Sequence, residues 1–78
     1  MKSFLVESYT PQSTAVSEIE ARARRVADGT SVHYVRSIFI RTDEICFHLL
    51  NAPSAAAVGD VIQAAGIADQ RIVEVQET

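Results

Sequence analysis

The sequence predicts an α+β domain, a four-stranded antiparallel sheet carrying two helices on one face. Three observations predict it. Four segments alternate or concentrate β-branched and aromatic residues, and two others repeat apolar residues at helical spacing. The segments run in the order βαββαβ, and short polar, glycine or proline signals separate them.

Ser3 to Tyr9 reads as the first strand, ended by TPQST with its proline and hydroxyl-bearing residues. From about Thr14 to Asp28, the residues Val16, Ile19, Ala23, Val26 and Ala27 form an apolar stripe, with Glu18, Arg22 and Arg25 on the other side and Gly29 as the stop. Val32 to Ile40 and Ile45 to Leu50 are strands joined by a polar turn, RTDE, and so form a hairpin. Pro53 and Ser54 open the second helix with Ser54 as N-cap; Val58, Val61, Ile62 and Ala65 line its inner side, and Gly66 ends it. Arg71 to Gln76 is the last strand.

The common solution for this order is a pair of split βαβ units with right-handed crossovers, giving strand order 4-1-3-2. This is the ferredoxin-like fold. One such domain accounts for residues 1–78.

Composition narrows the function. A chain of 78 residues exposes much surface for the core it can bury, so a partner chain or a metal is an expected support. The hydrophobic fraction of 47% and charged fraction of 22% belong to a globular protein. A net charge of -3 argues against nucleic acid, whose phosphates call for clustered Lys and Arg. A single cysteine makes no internal disulfide, and Glu7 interrupts the apolar start too early for a signal sequence or membrane span; the expected location is the cytoplasm, with no membrane partner.

Polarity suggests which side of each strand meets the helices. Phe4 and Val6, Val35 and Phe39, Ile45, Phe47 and Leu49, and Val73 and Val75 carry no charge and are expected inside. A three-residue loop, Thr42 to Glu44, would then oppose Ile38 to His48. The open face would hold Leu5, Glu7, Tyr9, Tyr34, Arg36, Ile38, Cys46, His48, Leu50, Ile72 and Glu74. A face this apolar marks an interaction site. Leu5, Ile38, Leu50 and Ile72 are expected at the centre of a two-fold homodimer packed sheet to sheet.

Within that interface Glu7, Arg36, Cys46, His48 and Glu74 would leave water, and buried charges must be paired, neutralised or metal-bound. Two readings follow. One is a structural ion-pair network; the other is a polar pocket for a metal or small ligand, with His48 as imidazole donor, Glu7 as carboxylate donor and Cys46 as thiolate. Tyr9, Tyr34, Arg36 and Glu74 would support it from around the pocket. His33 is expected at a partly exposed edge.

FLVES at Phe4 to Ser8, VHYVRSIFI at Val32 to Ile40, NAP at Asn51 to Pro53 and AGIADQRIVEV at Ala65 to Val75 together resemble a family of short bacterial domains of unknown function. One branch of that family is described as nickel-binding, ferredoxin-like and dimeric. Asn51 stands where the family often has an acidic residue, and His48 where it commonly has a cysteine. The resemblance implies a homodimeric binding or sensing protein with nickel, or another divalent transition metal, as candidate ligand. The alternative is a dimeric α+β-barrel enzyme, cofactor-free or haem-handling; the residues specify no activated nucleophile or acid-base pair for it.

Overall fold

The computed structural model describes residues 1–78. Its elements are β1 (Lys2–Tyr9), α1 (Val16–Ala27), β2 (His33–Ile40), β3 (Ile45–Ala52), α2 (Ala55–Ala64) and β4 (Asp69–Val75), with a short 3-10 turn, Arg41–Asp43, between β2 and β3. The sheet is antiparallel in the order β2-β3-β1-β4. That is the expected 4-1-3-2 arrangement of a ferredoxin-like domain, read from the opposite edge.

Local chemistry accounts for the helix ends. The Ser54 hydroxyl accepts from the Ala57 N–H, as an N-cap should, and α2 buries Val58, Val61 and Ile62. Gly29 and Gly66 follow the two helices with φ of 80° and 72°, a backbone region that glycine enters without steric penalty. α1 starts at Val16, the first residue of its apolar stripe and two residues after Thr14, and its N-cap, Ala15, makes no side-chain bond to the first turn. Ala23 and Ala27 bury its inner face, with Ile19 and Val26 packed alongside.

The core lies between the helices and one face of the sheet, but that face differs from expectation throughout β3 and β4 and at Tyr34 of β2. Phe4, Val6 and Ser8 of β1 point inward with Cys46, His48, Leu50 and Ala52 of β3, all buried. Ile72 of β4 opposes Val6 and packs against the same core. Ile45, Phe47 and Leu49, with Val73 and Val75, therefore lie on the open face. In β2, Tyr34 is 2% exposed and turned inward. A register shift between Tyr34 and Arg36 places Val35 at a bulge; beyond it Arg36 and Ile38 face out, while Phe39 opposes inward Cys46.

The loop explains the reversal of β3. The 3-10 turn is followed by Glu44 in the left-handed region, φ 55°, and the chain returns with Ile40 opposite Ile45 and Ile38 opposite Phe47. Ile38 does not oppose His48. One change of pairing parity exchanges both sides of β3, and β3 tolerates it because its two sides are almost equally apolar. No helix is long and apolar enough to cross a membrane.

Candidate functional site

The inward face of β3 brings its polar side chain into a closed network. His48 is 1% exposed, and both ring nitrogens have partners. Nδ1 lies 2.5 Å from the Tyr34 hydroxyl, and Nε2 lies 3.2 Å from Oγ of Ser8. Ser8 Oγ in turn lies 3.3 Å from Thr10 Oγ1 and 3.4 Å from the carbonyl oxygen of Cys46. The network is a product of register: Val6 opposes His48 and Ser8 opposes Cys46, so Ser8 and His48 are diagonal neighbours on one face.

Two residues of α1 secure the other end. Arg24 donates to the carbonyl oxygens of Tyr34 and Val35 at 2.8 and 3.0 Å, covering part of β2, an edge strand of the sheet, beside its bulge. Its guanidinium also lies 5.3 Å from the centroid of the Tyr34 ring. Ser37 Oγ donates to Glu20 at 2.7 Å, and this bond holds the Glu20 carboxyl below its ordinary value although partial burial works against it.

Burial sets the protonation of the rest. It pushes the Tyr34 phenol and the Cys46 thiol upward, and the nearby Glu20 charge raises both further. It pushes His48 down to about 4, with the Glu20 charge acting in the opposite direction. At neutral pH the ring is uncharged. The tautomer that gives the protonated phenol an acceptor has Nδ1 accepting from Tyr34 and the ring proton on Nε2. In that tautomer Nε2–H donates to Ser8, whose own proton is free to go to Thr10 or to the Cys46 carbonyl, and the ring orients Ser8 without taking its proton.

His48 and Ser8 form the floor of a cleft of about 160 Å³. Its walls are the end of β1 from Tyr9 to Pro11, Thr14, Ile19 of α1, and the turn Gly66 to Ala68. A broader groove of about 680 Å³ runs between the end of α1 and the start of β2 and includes Arg24, Arg25, Asp28 and His33. Those four side chains are exposed, as expected of an edge for His33, and the groove's buried polar side chain, Tyr34, turns its hydroxyl away to His48. The smaller cleft is lined by three buried polar side chains, Ser8, Thr10 and His48.

The expected metal set does not assemble. Glu7 lies on the open face, opposite Phe47 and Arg71, whereas Cys46 and His48 lie beneath the helices. No group of three or more His, Cys, Asp or Glu side chains is placed to hold a metal ion. His48 has both nitrogens engaged and Cys46 is held as a thiol, so this donor set does not fit nickel.

The remaining nominations divide in the same way. Leu5, Glu7, Tyr9, Arg36 and Ile38 do lie on the open face. Tyr34 and Leu50 belong to the core, and Ile72 packs against it, so Leu50 and Ile72 cannot form a sheet-to-sheet interface. Glu74 shares Ile72's parity but is exposed at the sheet margin, 3.9 Å from Lys2 Nζ. Arg36 reaches Glu77 at 3.7 Å instead of a buried carboxylate. Ser8, Thr10 and Glu20 carry no sequence motif, and Ser37 only the aromatic-x-x-Ser pattern with Tyr34 that belongs to the family resemblance. Their one signal was a polar residue at an inward position, Ser8, on a strand whose other inward residues are apolar.

No family model and no curated protein matches the chain. Among solved structures, the crystal structure of SCO4226 from Streptomyces coelicolor A3(2) superposes with a TM-score of 0.88 at 22% identity, over 97% of this chain and 98% of that one. At that identity the likeness is one of fold, and it extends over the whole βαββαβ unit.

Proposed function

We propose that the chain is a homodimeric binding protein. Two copies pack through their open sheet faces, and each keeps a small-ligand cleft between sheet and helices. The observation that carries the reading is His48, a neutral, buried imidazole with both nitrogens bonded, set at the floor of a cleft and directing a serine hydroxyl there. Buried polar networks are expensive unless completed, and this one is complete at a place where the core opens outward.

The dimer follows from the other face. Leu5, Ile38, Ile40, Ile45, Phe47, Leu49, Val73 and Val75 lie on it, and Ile38 is 57% exposed in the single chain. Only 18 of 78 residues are buried, so this apolar area is large relative to the core and calls for a cover. Glu7, Arg36 and Arg71 supply both signs of charge on the same face, so a second copy related by a two-fold axis can pair unlike charges while burying the apolar centre.

The enzyme alternative finds less support. In the tautomer that satisfies Tyr34, with the ring proton on Nε2, His48 is no base toward Ser8, and a haem needs a cavity several times larger than this cleft. Native mass spectrometry of untagged protein tests the proposal. The expected species is a dimer that retains a small organic molecule, and this molecule should be lost when Ala68→Trp fills the mouth of the cleft. A monomer, or a retained molecule indifferent to that substitution, contradicts it.

A further inference from the structure

The cleft also constrains what it can hold. Resting on the reading of this cleft as a ligand seat, we infer that its ligand is a small uncharged molecule, about the size of one six-membered ring, carrying a hydroxyl or carbonyl group directed at Ser8 and Thr10.

Size comes first. Roughly 150 Å³ accommodates a benzene-sized guest, whereas drug-sized ligands occupy about 300 to 1,000 Å³. At about 160 Å³ the cleft belongs to the first class. A nucleotide or a haem does not fit.

Charge comes second. The lining consists of Ser8, Tyr9, Thr10, Pro11, Thr14, Ile19, His48, Gly66, Ile67 and Ala68, with no Asp, Glu, Lys or Arg among them. The one ring that could become cationic is held neutral, with one nitrogen bonded to Ser8 and the other to Tyr34. Arg22, whose Nη2 lies beside Gly66, is outside the lining and donates from Nε to the carbonyl of Ala65 at 2.6 Å. An ionised ligand would thus lose its hydration without a counter-charge among the lining residues.

Polarity comes third, and it is asymmetric. Ile19 and Ile67 form apolar walls, while Ser8 and Thr10 present hydroxyls that both donate and accept. With the ring proton on Nε2, one lone pair of Ser8 is filled, and the serine proton is available to a carbonyl or hydroxyl oxygen entering the cleft in place of Thr10 or the Cys46 carbonyl. An apolar body with a single polar tip suits both ends.

Three probes of one ring size separate the possibilities: phenol, benzoate and protonated benzylamine, each titrated at pH 7.5 into 15N-labelled protein. Phenol should move the amide resonances of Thr10, Gly66 and Ile67 saturably and bind at least ten-fold more tightly than either ion. Ala68→Trp, a change at an exposed position on the cleft wall, should abolish those shifts while leaving the rest of the spectrum in place. Benzoate or benzylamine binding these residues as tightly as phenol would overturn the ligand class and leave the cleft standing. Shifts in none of the three titrations, or phenol shifts that survive Ala68→Trp, would overturn the cleft as a ligand seat and the class with it.

Discussion

The hydroxyl of Tyr34 and Nδ1 of His48 stand 2.5 Å apart across two neighbouring strands, both side chains nearly inaccessible to solvent. Their rings meet edge to face with centroids 5.7 Å apart. The contact joins the β2 bulge to the centre of the sheet, and from there to Ser8 at the floor of the cleft. Tyr34→Phe keeps the ring and removes the donor, leaving Nδ1 buried without a partner. The expected loss is about 1–3 kcal/mol of stability in urea denaturation, together with a 15N shift of Nδ1 toward an unbonded imidazole. An unchanged nitrogen resonance would show that the phenol does not set the tautomer.

Acid should weaken the fold through His48. The ring protonates near 6.5 when the chain is unfolded and only at about 4 when folded, so between these values the unfolded state binds the extra proton. Stability is therefore complete above pH 6.5 and falls as the pH drops toward 4, by on the order of 3 kcal/mol. His48→Gln should flatten this part of the curve. Chemical denaturation of both proteins from pH 7.5 to 4 checks it, and parallel curves would place the acid sensitivity elsewhere.

Ile38→Glu and Leu50→Glu should fail in different ways. Ile38 is 57% exposed on the open face, so a carboxylate there leaves the protomer folded and inserts an unpaired charge into the dimer. Leu50 is 0% exposed beneath the helices, and a charge there should unfold the chain. Light scattering with circular dichroism distinguishes the two. A folded monomer from Ile38→Glu and an unfolded chain from Leu50→Glu are the expected pair.

Cys46 is 1% exposed and its thiol is pushed upward by burial. Reaction with an aromatic disulfide reagent should be roughly 100-fold slower in the native protein than in the unfolded chain, because the thiolate forms only after local opening. Comparable rates would place the thiol at an accessible surface.

The N-cap of α2 offers a simpler test. Ser54→Ala removes the hydroxyl that accepts from the Ala57 N–H at 3.2 Å and should cost about 1 kcal/mol. A denaturation midpoint that does not move would mean that water replaces the cap at no cost.

The amino-acid pattern by itself determined the elements, their order and the strand order, because these depend on local periodicity, caps and the handedness of crossovers. Ser54, Gly29, Gly66 and the inner stripe of α2 are legible one residue at a time. The facing of β1 was legible too, since Phe4 and Val6 alternate with the charged Glu7. β3 offered no such contrast. ICFHLLNA is apolar on both sides, so its facing hung on a single parity decided by Glu44 in the left-handed region and by the pairing of Ile40 with Ile45. Polarity then pointed the wrong way, because a histidine counts as polar only until Tyr34 and Ser8 satisfy it. Those partners come from β2 and β1, far from His48 in the chain, and only the tertiary structure brings them together; the same parity separates Glu7 from His48 and places the candidate site beneath the helices instead of between two sheets.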